Sequence, residues 1–244
     1  MKTFLIFAAL SFNLQAAINF NDIYIVKKGF DSNDNIEATV FITLPDACKK
    51  VESVNFEQKQ NKYVFSAKIK ERKLEGCNLG KLNFPFNHIE TISLGKLSAG
   101  HYQYSFETKN SLKTKSFEVK KSQSSNLDDY LYAPVSNIFT PELAYTNQRI
   151  GVILDGMFYN SCYYLNDANI EIQRQENIFI IQPKLSFIDK SECIEAPYPL
   201  QSFIELPAIE SPGSYLLHVR SQSGLSVNRV FHVFAAQDSP SSSL

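Results

Sequence analysis

A chain of 244 residues that is 44% hydrophobic and 20% charged has ordinary globular composition and more length than one core of common size requires, which points to two domains. Its formal net charge of −1, with no block of five like charges, excludes the clustered Lys and Arg of a nucleic-acid footprint. With 19 Phe, 12 Tyr, no Trp and only 9 Gly and 10 Pro, the composition favours strands and excludes collagen-like and low-complexity chains.

Residues 1–17 have the three parts of a secretory signal: Lys2, the apolar run Phe4 to Leu10, and small residues at Ala16 and Ala17, with cleavage expected after one of these two. The apolar run is far shorter than the ~20 residues that span a bilayer, and no later run approaches that length, so no transmembrane segment is expected. Periplasmic or secreted placement follows. Asp31-Ser32-Asn33-Asp34-Asn35 offers oxygens at alternating positions but lacks the Gly and closing Glu of a calcium loop, and reads as a polar turn.

Period-two alternation then marks strands. Ile36, Ala38, Val40, Ile42 and Leu44 alternate with Glu37, Thr39, Phe41 and Thr43; Tyr63, Phe65, Ala67 and Ile69 form a second set. Tyr102, Tyr104 and Phe106 form a third, and Asn110-Ser111 turns the chain into a strand carrying Phe117 and Val119. The polar, Ser-rich stretch 123–132 reads as a linker between a first domain at 18–122 and a second at 133–238, with a disordered tail at 239–244. Tyr130-Leu131-Tyr132, at its end, either packs between the domains or opens the next strand. In the second half Ile150, Val152 and Leu154 open a strand, and Tyr215, Leu217 and Val219 alternate before a turn at Ser223-Gly224.

Four Cys in an exported chain permit three pairings. Cys48 and Cys77 lie 29 residues apart and Cys162 and Cys193 lie 31 apart, so each half owns one similar pair and Cys48–Cys77 with Cys162–Cys193 is expected. Aligned on these cysteines, the halves share ordered landmarks: Pro85-Phe86 with Pro197-Tyr198, Gly100-His101-Tyr102 with Gly213-Ser214-Tyr215, and Phe117-Glu118-Val119 with Phe231-His232-Val233. The chain reads as a tandem duplication of sandwiches of about seven strands.

The pattern Leu97-x-x-Gly100-x-Tyr102 followed by a hydrophobic strand resembles the start of the penultimate strand in immunoglobulin-like domains. With the paired Cys, Pro-Phe and Phe-x-Val elements, it is similar to poorly characterised bacterial exported proteins with immunoglobulin-like repeats. The resemblance implies an all-β chain of two tandem antiparallel β-sandwich domains in which Tyr102 and Tyr215 are buried corner tyrosines that hydrogen-bond back to the chain. Each second Cys precedes its Tyr, so the bridges are expected to clip loops or strand ends rather than to staple the sheets.

Chemistry is sparse. The four His (His88, His101, His218 and His232) sit in no catalytic motif, and the sequence points to no catalytic residue, cofactor or metal. His218 and His232 lie off the core face on the strands flanking Ser223-Gly224, as candidate cross-strand neighbours. Tyr159, Tyr163 and Tyr164, beside Cys162, are the candidate recognition aromatics. Residues 18–122 hold 17 Lys and Arg against 12 Asp and Glu, a balance of +5, whereas 133–238 hold 6 against 11, a balance of −5, which could steer head-to-tail self-association. The expected function is non-enzymatic binding of a protein or glycan at the cell envelope. Two alternatives stand beside it. One is a periplasmic assembly chaperone, since two immunoglobulin-like domains after a signal resemble pilus chaperones, although the strand that would be lent, Leu112 to Val119, is too charged for that task. The other is an enzyme with a site at the domain junction.

Overall fold

The computed structural model describes residues 19–73, 77, 85–188 and 193–236; the leader expected at 1–17 and the disordered tail expected at 239–244 lie outside them. The chain is all-β. In order, its strands are β1 (Asp22–Tyr24), β2 (Phe30–Asp31), β3 (Ile36–Leu44), β4 (Lys49–Lys59), β5 (Lys62–Glu71), β6 (Phe86–Gly95), β7 (Gly100–Glu107) and β8 (Leu112–Lys120), then β9 (Val135–Phe139), β10 (Ala144–Tyr145), β11 (Ile150–Phe158), β12 (Tyr163–Gln175), β13 (Ile178–Phe187), β14 (Tyr198–Leu206), β15 (Gly213–Arg220) and β16 (Ser226–Phe234). The first eight form sheets in the orders β1-β3-β6 and β2-β8-β7-β5-β4, and the second eight repeat both orders strand for strand, as β9-β11-β14 and β10-β16-β15-β13-β12. Each half is therefore a sandwich of a three-stranded and a five-stranded sheet, with one strand more than the seven expected.

Alternation accounts for both cores. Ile36, Ala38, Val40, Ile42 and Leu44 turn one face of β3 onto Tyr63, Phe65, Tyr102, Tyr104, Phe106 and Phe117 of the facing sheet. Ile150, Val152 and Leu154 do the same against Phe179, Tyr215, Leu217 and Phe231. Tyr102 donates its hydroxyl to the Ser98 carbonyl at 2.7 Å, and Tyr215 donates to the Ser211 carbonyl at 2.8 Å, each four residues upstream. Both disulfides pair as the spacing suggests, Cys48–Cys77 and Cys162–Cys193, with Cα–Cα distances of 5.6 and 4.8 Å. Cys48 immediately precedes β4 and Cys162 precedes β12, so each bridge ties the connection after the next strand back to a strand start.

Most ladders are antiparallel, but each large sheet also has two parallel pairings, β2 with β8 and β5 with β7, repeated as β10 with β16 and β13 with β15. The parallel contact of β5 with β7 is short, covering only Lys62–Val64 against Gln103–Ser105.

The halves meet across a broad seam. The outer face of the small sheet of the first half lies on the outer face of the large sheet of the second, and Ile178, Ile180, Leu216 and Val230 join the first core from across it. Asp34 and Arg220, both buried, form an ion pair at 2.6 Å. Glu37 accepts hydrogen bonds from Asn228 at 2.8 Å and from Ser226, and the Tyr24 hydroxyl donates to the Ser214 carbonyl at 3.2 Å. The connecting stretch is bound rather than loose. Asn33 donates to the carbonyls of Ser124 and Asn126, and Gly224 donates to Asp128 at 2.9 Å. Tyr132 is buried and bridges to Lys184, so the second sandwich draws in the end of this stretch.

Candidate binding cleft

The opening of interest arises from a mismatch in strand length. Beyond Val64, β5 continues to Glu71 along β4, while β7 ends at Glu107 and turns back through Thr108–Ser111. The large sheet therefore splits, and a cleft of about 1110 Å³ opens between the far half of β5 and the β7–β8 turn. Phe20, Leu44, Ala67 and Ile69 supply apolar floor, and Asn21, Thr108 and Asn110 add amide and hydroxyl groups. Lys49, Lys68, Lys70, Lys109 and Lys113 rim it.

Lys68 and Lys70 both reach Glu52, at 3.0 and 2.9 Å, and their hydrogen bonds hold its exposed carboxyl down at about 2. Among the described residues no carboxylate lies within ion-pair distance of Lys49, Lys109 or Lys113. Glu71 lines the same cleft opposite Lys49 in the ladder, and an apolar floor under a surplus of ammonium groups suits a ligand with an extended apolar or neutral body and negative charges at its margin.

The aromatics singled out in the sequence do not form one surface. Tyr159 is 72% exposed on the turn after β11. Tyr163 is half-buried, with its ring 4.8 Å from that of Phe187, and its carbonyl accepts the Tyr198 hydroxyl. Tyr164 is exposed and lines a second, smaller opening of about 430 Å³ with Phe158, Tyr198 and Phe203. The strand that carries Tyr163 and Tyr164 alternates, so neighbours in sequence face opposite ways.

His218 and His232 are not paired across the ladder. His218 lies opposite Asn228 and His232 opposite Ser214, four residues away along β15, because the five-residue turn sets that register. Both face the seam, His218 packing on Phe30 with ring centroids 5.7 Å apart and His232 on Phe41 at 5.4 Å. Burial, aided by the charge of Arg220 and opposed by the Asn228 bond, pushes the His218 imidazole down to about 4, so it is neutral at pH 7. Burial also raises the Asp34 carboxyl against the pull of Arg220. A cavity of about 20 Å³ beside His218 and Arg220, whose Nε2 and Nε lack partners among the described residues, is the size of one water.

The Asp31–Asn35 oxygens are taken up within the protein: Asp31 accepts from the Asn33 amide at 2.7 Å, and Asp34 accepts from the Asp31 amide at 2.8 Å and from Arg220. Among the described residues no group of three or more His, Cys, Asp or Glu could hold a metal ion, and no helix is long and apolar enough to cross a membrane.

Fold and cleft together define an all-β protein of two interlocked sandwiches, one of which carries an open, lysine-rimmed cleft. No family model matches the chain, and no curated protein or solved structure gives a significant match.

Proposed function

We infer that the protein is an exported, non-enzymatic binding protein whose first sandwich takes an anionic partner, protein or glycan, at the cell envelope. One observation carries the reading: about 1110 Å³ of open, apolar-floored cleft is rimmed by five lysines within a half that carries +5. Two disulfides fit an oxidising compartment, which supports export. Charges at such a rim raise the encounter rate and impart salt sensitivity.

The test uses two defined probes, a sulfated hexasaccharide and an acidic peptide, titrated against the chain and against the triple variant Lys49→Glu, Lys109→Glu, Lys113→Glu. At least one probe should bind and weaken ten-fold or more in the variant, with its melting temperature retained. Binding of neither probe, or equal binding to both proteins, overturns the reading.

A second reading is favoured by the aromatic opening of the second half, where the exposed rings of Tyr164 and Phe203 are of the kind that stack on sugars. Loss of neutral-glycan binding in Tyr164→Ala, with the triple variant unaffected, would move the site there.

A further inference from the structure

Within the reading of the first-half cleft as the binding site, we propose that its ligand is an extended polypeptide strand that adds, antiparallel, to the open edge of β5. The second half supplies the pattern. There β13 also leaves its parallel neighbour early, pairing with β15 only at Ile178–Ile181, yet its far half is not bare. The chain's own Leu131-Tyr132-Ala133 lies along it: the Ala133 amide donates to the Pro183 carbonyl at 2.8 Å, the Leu185 amide donates to the Leu131 carbonyl at 2.8 Å, and Tyr132 bridges Lys184 in antiparallel register. The Ser221 hydroxyl holds the other side of the segment by donating to the Ala133 and Val135 carbonyls. Just past this segment, Gly156 of β11 lets Pro134 come close, since a Cβ there would stand 2.0 Å from the Pro134 oxygen.

The ladders fix which residues correspond. Tyr104 pairs with Tyr63 as Leu217 pairs with Phe179, so Ala67 stands where Pro183 does, Lys68 where Lys184 does and Ile69 where Leu185 does. All three of these β5 residues line the cleft. Thr108 stands where Ser221 does, with its hydroxyl bonded to the Ser111 carbonyl instead of to an added strand. Among the described residues, nothing pairs with β5 on its β7 side from Phe65 to Glu71, so a row of main-chain donors and acceptors faces the cleft. An edge of this kind is the template for strand addition.

The second half supplies its added strand, Leu131–Ala133, from within its own chain. The partner's chemistry can be drawn from that internal strand and from the rim. Asp128 and Asp129 precede it, and the Lys184 ammonium lies 3.8 Å over the Tyr130 ring. Lys68 can serve an incoming aromatic in the same way, while Lys49, Lys109 and Lys113 meet acidic flanks. The expected ligand is an extended segment with small or apolar residues facing inward, an aromatic near Lys68 and carboxylates at its end.

The probe is a synthetic peptide of this chain's residues 126–136, NLDDYLYAPVS, with a second version N-methylated at its Ala133 position and the sulfated hexasaccharide as comparison. The protein is the full chain as recovered after export, with its N-terminus read by intact mass. The unmodified peptide should bind, the N-methylated peptide should bind at least ten-fold more weakly, and the Ile69 amide should exchange more slowly in the complex. Equal binding of the two peptides, or binding of the hexasaccharide alone, overturns strand addition while leaving the cleft as the binding site. Binding of no probe overturns both. Retention of residues before Ile18 with the Ile69 amide already protected would show the edge closed by the chain itself and would likewise overturn the proposal.

Discussion

Beside β13 the second half closes the gap in its large sheet with its own Leu131–Ala133, whereas beside β5 the first half leaves about 1110 Å³ open. The small sheets differ in the opposite sense. In the first half the outer row Tyr24–Thr39 is buried under the second half, while the matching row Phe139–Ile153–Phe203 is exposed. One strand order thus yields two different surfaces. Position along the chain decides which faces are covered: Leu131–Ala133 lies between the halves and pairs with the second, and the small sheet of the first half is the one that meets the other sandwich.

The largest effect should come from breaking the seam that sets this difference. Arg220→Ala leaves the buried Asp34 carboxylate without its partner and should cost about 3–5 kcal/mol of unfolding free energy in a denaturant titration. The counterpart position in the first half is the exposed Glu107, where Glu107→Ala should change stability by about 0.5 kcal/mol or less. Equal losses at the two positions would show that the seam adds little.

Next is acid. The His218 imidazole takes its proton near 6.5 when unfolded but resists to about 4 when folded, so between those values the unfolded state holds more protons. Stability is therefore full above about pH 6.5 and falls as the pH drops, by up to about 3 kcal/mol from this group. Asp34, raised by burial, works in the opposite sense at the acid end of the window. Unfolding measured at pH 7 and pH 5 should show the loss in the wild type and a flatter response in His218→Gln; the same slope in both would assign it elsewhere.

The smallest effects compare like with like. Tyr102→Phe and Tyr215→Phe each remove one hydrogen bond to a carbonyl four residues back and should each cost about 1 kcal/mol, adding in the double variant. A marked inequality would mean the two corners do not do the same work.

Much of the frame was legible in the sequence because it rests on local pattern. Alternation located β3, β5, β7, β8, β11 and β15, and cysteine spacing paired the bridges. β4 and β12 were not legible: each has a single ladder neighbour and polar residues on both faces, as in Asn166-Asp167-Ala168-Asn169 at the bulge of β12. Nor was β13, whose run Ile178-Phe179-Ile180-Ile181 is buried on both faces because the seam covers the outer one, and so shows no alternation. His218 and His232 do leave their own core, but what meets them comes from nearly two hundred residues earlier in the chain. The cleft was invisible for the same reason: Lys49, Lys68 and Lys109 come together only through strand pairing, and the excess positive charge of residues 18–122 was its one sequence trace.

The seam has a bearing on assembly. A small sheet seated on the next unit's large sheet is a heterologous contact, the kind that can be repeated without closing into a ring. Continued at the other end of the molecule, it would need the large sheet of the first half to offer what Ile178, Leu216 and Val230 offer in the second. The ladder positions there hold Lys62, Gln103 and Ser116, all exposed. Like the polar outer face of a terminal solenoid unit, that face offers a second small sheet no apolar seat.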